Sequence, residues 1–218
     1  MNNRTQTAGS MIVSLRSGRR AFLAGAGLAA AGFIRPARAA DLSPEQATAF
    51  IDKTGKALMA VVNGPGTKQQ KGAALTSIVD STVDVATIGR FCLGRYWNRA
   101  TPAQQATYLD LFHRVLVLNI TGKVGEYEGV TLTVDRAIPR DDGIAVATTV
   151  TRPNNAPNRV DWLVSNATGS PRIIDVIAEG TSLRLTQRND YTSYLSRNNN
   201  DVGALIAALQ KQAENQSG

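Results

Sequence analysis

The spacing of apolar positions changes along this chain from helical to alternating and back again. From Ser43 to about residue 127 they recur every three or four residues, from Val130 to Ala178 they alternate, and beyond about residue 186 the helical spacing returns. Ser43-Pro44-Glu45-Gln46 opens a first helix, because Ser43 can cap free amides, Pro44 suits the first helical position and Gln46 can reach back. Ala47, Phe50 or Ile51, Thr54, Leu58 and Val61 fall along one face, and Asn63-Gly64-Pro65-Gly66 ends it. A second amphipathic helix is predicted from about Lys71 to Ala86, with Leu75, Ile78, Val79 and Val83 inward. Thr101-Pro102-Ala103-Gln104 then repeats the opening chemistry of the first helix. The helix after it has two adjoining apolar stripes, Leu109, Phe112, Leu116, Ile120 and Val124 beside Tyr108, Leu111, Val115 and Leu118. Only Thr107, Asp110, His113 and Arg114 form a polar edge. So wide an apolar face must be covered on more than one side. A sheet suits one flank; other helices and an apolar ligand are both open for the other.

The alternating region divides into four predicted strands: Val130, Leu132, Val134; Ile144, Val146, Thr148, Val150; Val160, Trp162, Val164; and Ile174, Val176, Ala178. Their connections are short and rich in Pro, Asn, Asp and Gly, which points to an antiparallel meander. Thr131, Thr133, Asp135, Asp161 and Ser165 alternate with the apolar positions and give the sheet a solvated face. A helix is expected from about Thr186 to Ser196, and a last one from Val202 to Gln212 with Val202, Leu205, Ile206 and Leu209 inward. The order helices, four-stranded antiparallel sheet, helices defines an α+β protein.

Composition matters mainly through the N-terminal segment. Residues 1–39 contain six arginines and no acidic residue, with an apolar run from Ala21 to Ile34 followed by Ala37-Arg38-Ala39. That pattern is expected of a cleaved signal peptide. The run is rich in Gly and Ala and shorter than the ~20 apolar residues a bilayer span needs, so no membrane anchor is expected. Arg19-Arg20-Ala21-Phe22-Leu23 resembles the twin-arginine export signal; the alternative is an ordinary secretory signal with an adjacent arginine pair. Without that segment, 24 basic residues fall to 18, against 17 acidic ones. A nearly neutral remainder argues against nucleic acid as a partner. Residues 40–218 suit a single domain, divided into a helical part over 43–127, a sheet over 130–179 and C-terminal helices over 186–212.

Candidate chemistry is sparse. One histidine, His113, and one cysteine, Cys92, leave no soft metal site; there is no Gly-rich phosphate loop and no Gly-x-Ser-x-Gly elbow. Cys92, between Phe91 and Leu93, is expected to be a small buried hydrophobe. Asp175 and Glu179 lie four apart at the end of the fourth strand, where extended chain puts both on one face. Acid and base work is open to such a pair, but ion pairing is the expected role. Arg90, Arg95 and Arg99 are the natural partners, the last two being one helical turn apart.

Three segments carry a family resemblance: Leu93-Gly94-Arg95-Tyr96-Trp97-Asn98-Arg99-Ala100-Thr101-Pro102, Asp175-Val176-Ile177-Ala178-Glu179-Gly180-Thr181-Ser182-Leu183, and Gly203-Ala204-Leu205-Ile206-Ala207-Ala208-Leu209. Together they resemble the MlaC, or toluene-tolerance, family of periplasmic lipid carriers. The chain departs from the family just before Asp175, where a Trp is usual and Gly169-Ser170-Pro171-Arg172-Ile173-Ile174 stands instead.

The resemblance implies a twisted antiparallel sheet backed by helices and enclosing an apolar cavity for the acyl tails of a phospholipid. It implies transport in the periplasm between an outer-membrane lipoprotein complex and an inner-membrane ABC transporter complex with its membrane-anchored receiving subunit. No catalytic residue, metal or cofactor is then expected, the phospholipid being cargo. The expected lining is Val146, Val150, Trp162, Val164, Ile174 and Val176 from the sheet, with Phe112, Leu116 and Ile120 from the long helix. Rival readings are a hopanoid or other apolar-lipid carrier of the same fold, an envelope interaction protein with a filled core, and a hydrolase-like enzyme using Asp175, Glu179 or His113.

Overall fold

The computed structural model describes residues 42–217, so the export signal at Arg19 and Arg20 lies outside the described residues. Helices α1 (Pro44–Asn63), α2 (Lys68–Thr82), α3 (Val85–Leu93) and α4 (Pro102–Gly122) come first, with 3-10 segments at Gly94–Arg99 and Val124–Tyr127. Strands β1 (Thr131–Arg140), β2 (Gly143–Thr151), β3 (Asn158–Ser165), β4 (Arg172–Ala178) and β5 (Thr181–Ser182) follow, and α5 (Leu183–Arg197) and α6 (Val202–Ser217) close the chain. The strands form one antiparallel sheet in the order β1-β2-β3-β4-β5.

Local chemistry explains most of the boundaries. Complete capping boxes start α1 at Ser43 and Gln46 and α4 at Thr101 and Gln104, each followed by Pro at the first position. A third box, Thr67 with Gln70, starts α2 at Lys68, three residues ahead of the expected Lys71. The expected helix from Lys71 to Ala86 is broken in two. Val83 leaves helical geometry and forms a parallel bridge to Ile173, the Asp84 amide donates to the Ile173 carbonyl at 2.9 Å, and the Asp84 carboxylate caps α3.

The sheet has five strands rather than the four expected. Glu179 and Gly180 both adopt positive φ, which makes a two-residue hairpin turn and lets Thr181 and Ser182 pair back onto Ala178 and Ile177. Val83 at one end and β5 at the other cover the free edge of β4. Ser182 then caps α5, so that helix starts three residues ahead of Thr186.

Four apolar clusters fill the protein. The largest lies within the helices α3 to α6 and includes Cys92, Tyr108, Phe112, Tyr191, Leu195 and Leu209. A second joins Ala47 and Ile51 of α1 to Ile144, Val146, Val164 and Ile173 of the sheet. A third, with Val62, Leu75, Val124 and Val130, continues it toward the far end of α1. Ala145, Leu163 and Ile174 form a small cluster on the opposite sheet face. The expected sheet contact of the long helix is therefore a helix contact: α4 packs against α2, α3 and α6.

Where α3 meets α4, Gly89 allows close approach. A Cβ there would stand 2.8 Å from Leu109 Cδ2 and 3.2 Å from the Phe112 ring, and the Gly89 carbonyl accepts a 2.8 Å hydrogen bond from the buried Tyr108 hydroxyl. Gly89→Val is expected to cost about 1–3 kcal/mol through overpacking, read as a lower urea midpoint with an unchanged slope.

Candidate functional site

The face of the sheet toward α1 follows from register. Ile144, Val146 and Thr148 of β2 pair with Val164, Trp162 and Val160 of β3, and Trp162 and Val164 in turn pair with Val176 and Ile173 of β4. All seven of the apolar residues in these rows except Val160 belong to the cluster under α1. The polar groups among them are satisfied. Trp162 Nε1 donates to Thr148 Oγ1 at 3.0 Å, the fully buried Thr148 hydroxyl donates to the Val160 carbonyl at 2.8 Å, and Thr54 donates to the Phe50 carbonyl at 2.8 Å. Nothing on this face asks for a polar ligand.

Between α1 and the sheet runs a narrow crevice, too tight to admit a water-sized sphere, lined by Ile51, Thr54, Gly55, Leu58, Leu132 and Trp162. It joins the second apolar cluster to the third, because Ile51 and Trp162 belong to one and Leu58 to the other. Gly55 sets the spacing, since a Cβ there would lie 3.0 Å from Leu132 Cδ2. A larger concavity, about 370 Å³, lies between α5 and α6. Its lining is mixed, with Tyr191, Tyr194, Leu205, Ala208 and Leu209 beside Gln187, Asp190, Ser193, Arg197 and Gln212.

The residues expected to line one cavity are distributed over several places. Val146, Trp162, Val164 and Val176 share the face under α1, while Val150 and Ile120 pack together in the third cluster. Phe112 lies instead in the helical core, tilted against Tyr108 at 5.9 Å and edge-on to Tyr191 at 6.4 Å. Leu116 is half-buried and joins none of the four clusters. Ile174 is on the opposite face. Leu163 pairs with Asp175 but Val164 with Ile173, so Ile174 is the extra residue of a bulge, and strict alternation fails there. Ile51, Leu58 and Leu132 of the crevice were not among the expected lining residues, although helical spacing marks the first two as inward and alternation marks the third.

The expected ion pairs are also rearranged. Asp175 is the one charged side chain among the described residues that is buried. It accepts hydrogen bonds from the Val176 amide (2.8 Å), the Ser182 hydroxyl (2.6 Å) and the Arg184 amide (3.1 Å), and pairs with Arg184 Nε at 3.4 Å. Arg184 also pairs with Asp142. Arg95 and Arg99 stack on Tyr96 instead, at 5.0 and 5.7 Å from its ring, and Arg95 bonds its hydroxyl at 3.0 Å. Glu179 sits in the exposed hairpin turn, where its positive φ removes it from the alternation that was to place it beside Asp175.

No catalytic constellation forms from these groups. His113 pairs with Asp80 at 2.6 Å, and the described residues hold no group of three or more His, Cys, Asp or Glu able to bind a metal ion. The Cys92 thiol is wholly buried, donates to the Arg184 carbonyl at 3.4 Å, and is pushed up to about 12 by burial and then by the Asp175 charge. It therefore stays protonated at neutral pH.

The architecture is α+β, with a largely apolar layer between one long helix and an antiparallel meander. The model of the MlaC protein family matches residues 52–211, and the chain belongs to that family. It is 29% identical over 153 residues to toluene tolerance protein ttg2D of Pseudomonas putida, covering 66% of this chain and 71% of that protein. Its fold is that of a phospholipid-binding protein from Ralstonia solanacearum solved in complex with a phospholipid, with a TM-score of 0.67 and 22% identity over 79% of this chain and 99% of that one. Among the described residues no helix is long and apolar enough to cross a membrane.

Two outcomes are expected. Asp175→Ala leaves the Ser182 and Arg184 donors without their acceptor and costs about 3–5 kcal/mol, with Asp175→Asn costing less, both measured by urea denaturation. Cys92 resists a thiol-specific reagent in the folded protein at about pH 8 and reacts once the protein is unfolded in urea.

Proposed function

We propose that this chain is a periplasmic lipid carrier that holds the acyl tails of a phospholipid between α1 and the facing sheet. The observation that carries this reading is the continuous apolar layer under α1, in which every buried polar side chain already has an internal partner. The family, and the phospholipid bound by the Ralstonia solanacearum protein of the same fold, support it.

Loading requires α1 to move. Ligand pockets that enclose a sizeable apolar molecule run to ~300–1,000 Å³, whereas the crevice is too narrow to admit even a water-sized sphere. Polar anchors are concentrated at the C-terminal end of α1. The Asn63 side chain bonds the Gly129 amide at 2.8 Å and the Val130 carbonyl at 3.0 Å, and Lys71 Nζ bonds the Val62 carbonyl at 2.7 Å. The N-terminal half meets the sheet through Ala47, Phe50 and Ile51, all apolar. In this reading the helix tilts about its anchored end and tails replace those side chains against Val146, Trp162 and Val164.

Energetics then fix how the carrier works. Roughly 30 methylenes at about 0.8 kcal/mol each are worth on the order of 24 kcal/mol relative to water, beyond the roughly 18–21 kcal/mol at which non-covalent affinity saturates. Release into water is negligible. Exchange with a bilayer, where the tails are already out of water, is nearly isoenergetic, so hand-over belongs at membrane-bound partners. We assign these as the inner-membrane ABC transporter complex and the outer-membrane lipoprotein complex, reached after export by the N-terminal signal. The protein acts as a carrier and not as an enzyme.

Native mass spectrometry with lipid extraction tests the assignment. The wild type is expected to carry phospholipid as purified. Leu58→Glu with Leu132→Glu, both at half-buried positions lining the crevice, is expected to lose the lipid while keeping its circular dichroism spectrum. Lipid-free wild type, or full lipid in the folded double variant, overturns the reading; a hopanoid in the extract reassigns the cargo.

A further inference from the structure

Residues 42–217 carry nearly balanced charge, yet their arginines are unevenly placed. Arg184 and Arg188 lie over the Phe91 ring at 4.5 and 4.9 Å. The Arg188 guanidinium also lies against Gly94, 3.1 Å from where its Cβ would be. Arg95 and Arg99 stack on Tyr96, whose hydroxyl donates at 2.7 Å to Asn200 just beyond the far end of α5. Arg90 lies 5.2 Å from the Trp97 ring. These contacts place guanidinium groups over rings of α3 and the 3-10 segment, with α5 supplying two of them.

Arg184 is neutralised by Asp142 and Asp175, but Arg90, Arg95, Arg99 and Arg188 have no carboxylate within ion-pair distance among the described residues. The aromatic rings beneath hold the side chains in place without quenching their charge. Asp190, on the same helix, lines the groove toward α6. At the start of α5, on either side of Arg184 in sequence, stand Leu183 and Leu185, which are 51% and 48% exposed and are the most exposed large apolar side chains of the described residues.

We propose that these arginines, with Leu183 and Leu185 at the start of α5, form a docking surface for an anionic phospholipid bilayer. Guanidinium groups match phosphate oxygens in planar, paired hydrogen bonds. Exposed leucines beside basic groups are what an interfacial anchor uses to enter the headgroup region. A protein partner would be expected to find exposed aromatic anchors on this face, but Tyr96 is buried and Phe91, Tyr96 and Trp97 all lie under guanidinium groups. The surface is separate from the crevice under α1 and does not depend on the cargo assignment.

Co-sedimentation with vesicles of phosphatidylcholine, with and without about 30% phosphatidylglycerol, tests the proposal at low and at about 0.5 M salt. The full-length mature chain is expected to bind only the anionic vesicles and to dissociate at high salt. Changing Arg90, Arg95, Arg99 and Arg188 together to Gln should weaken binding by at least about 100-fold, and Leu183→Ser with Leu185→Ser should weaken it by about tenfold. Circular dichroism and native mass spectrometry check that both variants stay folded and keep their cargo. Equal binding to neutral vesicles, wild-type binding by both folded variants, or retention on immobilised polyglutamate with no binding to vesicles overturns the proposal, the last result pointing to an acidic protein partner.

Discussion

One inserted residue in β4 sets which of its side chains face α1 and which reach the start of α5. Regular alternation would give the strand a single apolar face, and the bulge at Ile174 changes its phase within three residues. Ile173 before it and Val176 after it both turn toward α1 and join the apolar cluster under that helix. Ile174 joins the opposite-face cluster with Ala145 and Leu163. Asp175, paired with Leu163 in register, reaches the start of α5, where a carboxylate meets a free backbone amide and complements the helix dipole. From that anchored start α5 carries Tyr191 and Leu195 into the helical core. A buried charge is costly by itself, and the donors from Val176, Ser182 and Arg184 are what make this one tolerable.

The same bulge marks the limit of what the chain discloses by pattern. Helix openings were legible because capping has a side-chain signature, Ser43 with Gln46 and Thr101 with Gln104. Thr67 with Gln70 carries that signature too, but Lys68, Gln69 and Lys71 around it lack the apolar spacing that draws attention to a helix. The meander was legible from its turns. The break at Val83 was not, because a β-branched residue at an inward helical position reads as more helix until Ile173 offers it a strand edge. The bulge has no composition of its own, so Ile174 was assigned to the face that Ile173 occupies.

Ion pairs failed for a related reason. Proximity in charge sign made Arg95 and Arg99 partners for Asp175, but only register and the Ser182 cap decide which arginine arrives there, and Arg184 is nine residues away through a tight hairpin. The arginines so released lie over aromatic rings, a geometry in which positive charge remains available to solvent. A segment that supplies family signature and core packing through Tyr96 thus also carries arginines that pair with no carboxylate among the described residues.

The division between a helical core and a separate apolar layer bears on how a carrier can open without unfolding. Tyr108, Phe112, Tyr191 and Leu195 pack among α3 to α6, and burial pushes the Tyr108 and Tyr191 hydroxyls upward in pKa, as a dry interior should. None of the residues lining the crevice belongs to that core. The layer under α1 holds Ile51, Val146, Trp162 and Val164, with Trp162 bonded to Thr148 inside the sheet and not to α1. Separation of α1 from the sheet therefore breaks apolar contacts but no sheet hydrogen bond, and acyl tails can restore apolar contact of the same kind. Since the hydrophobic term scales with area removed from water and not with the identity of what covers it, exchange of helix for tail leaves the sheet face equally dry. In the proposed carrier, that equivalence lets one surface be both stably closed and readily loaded.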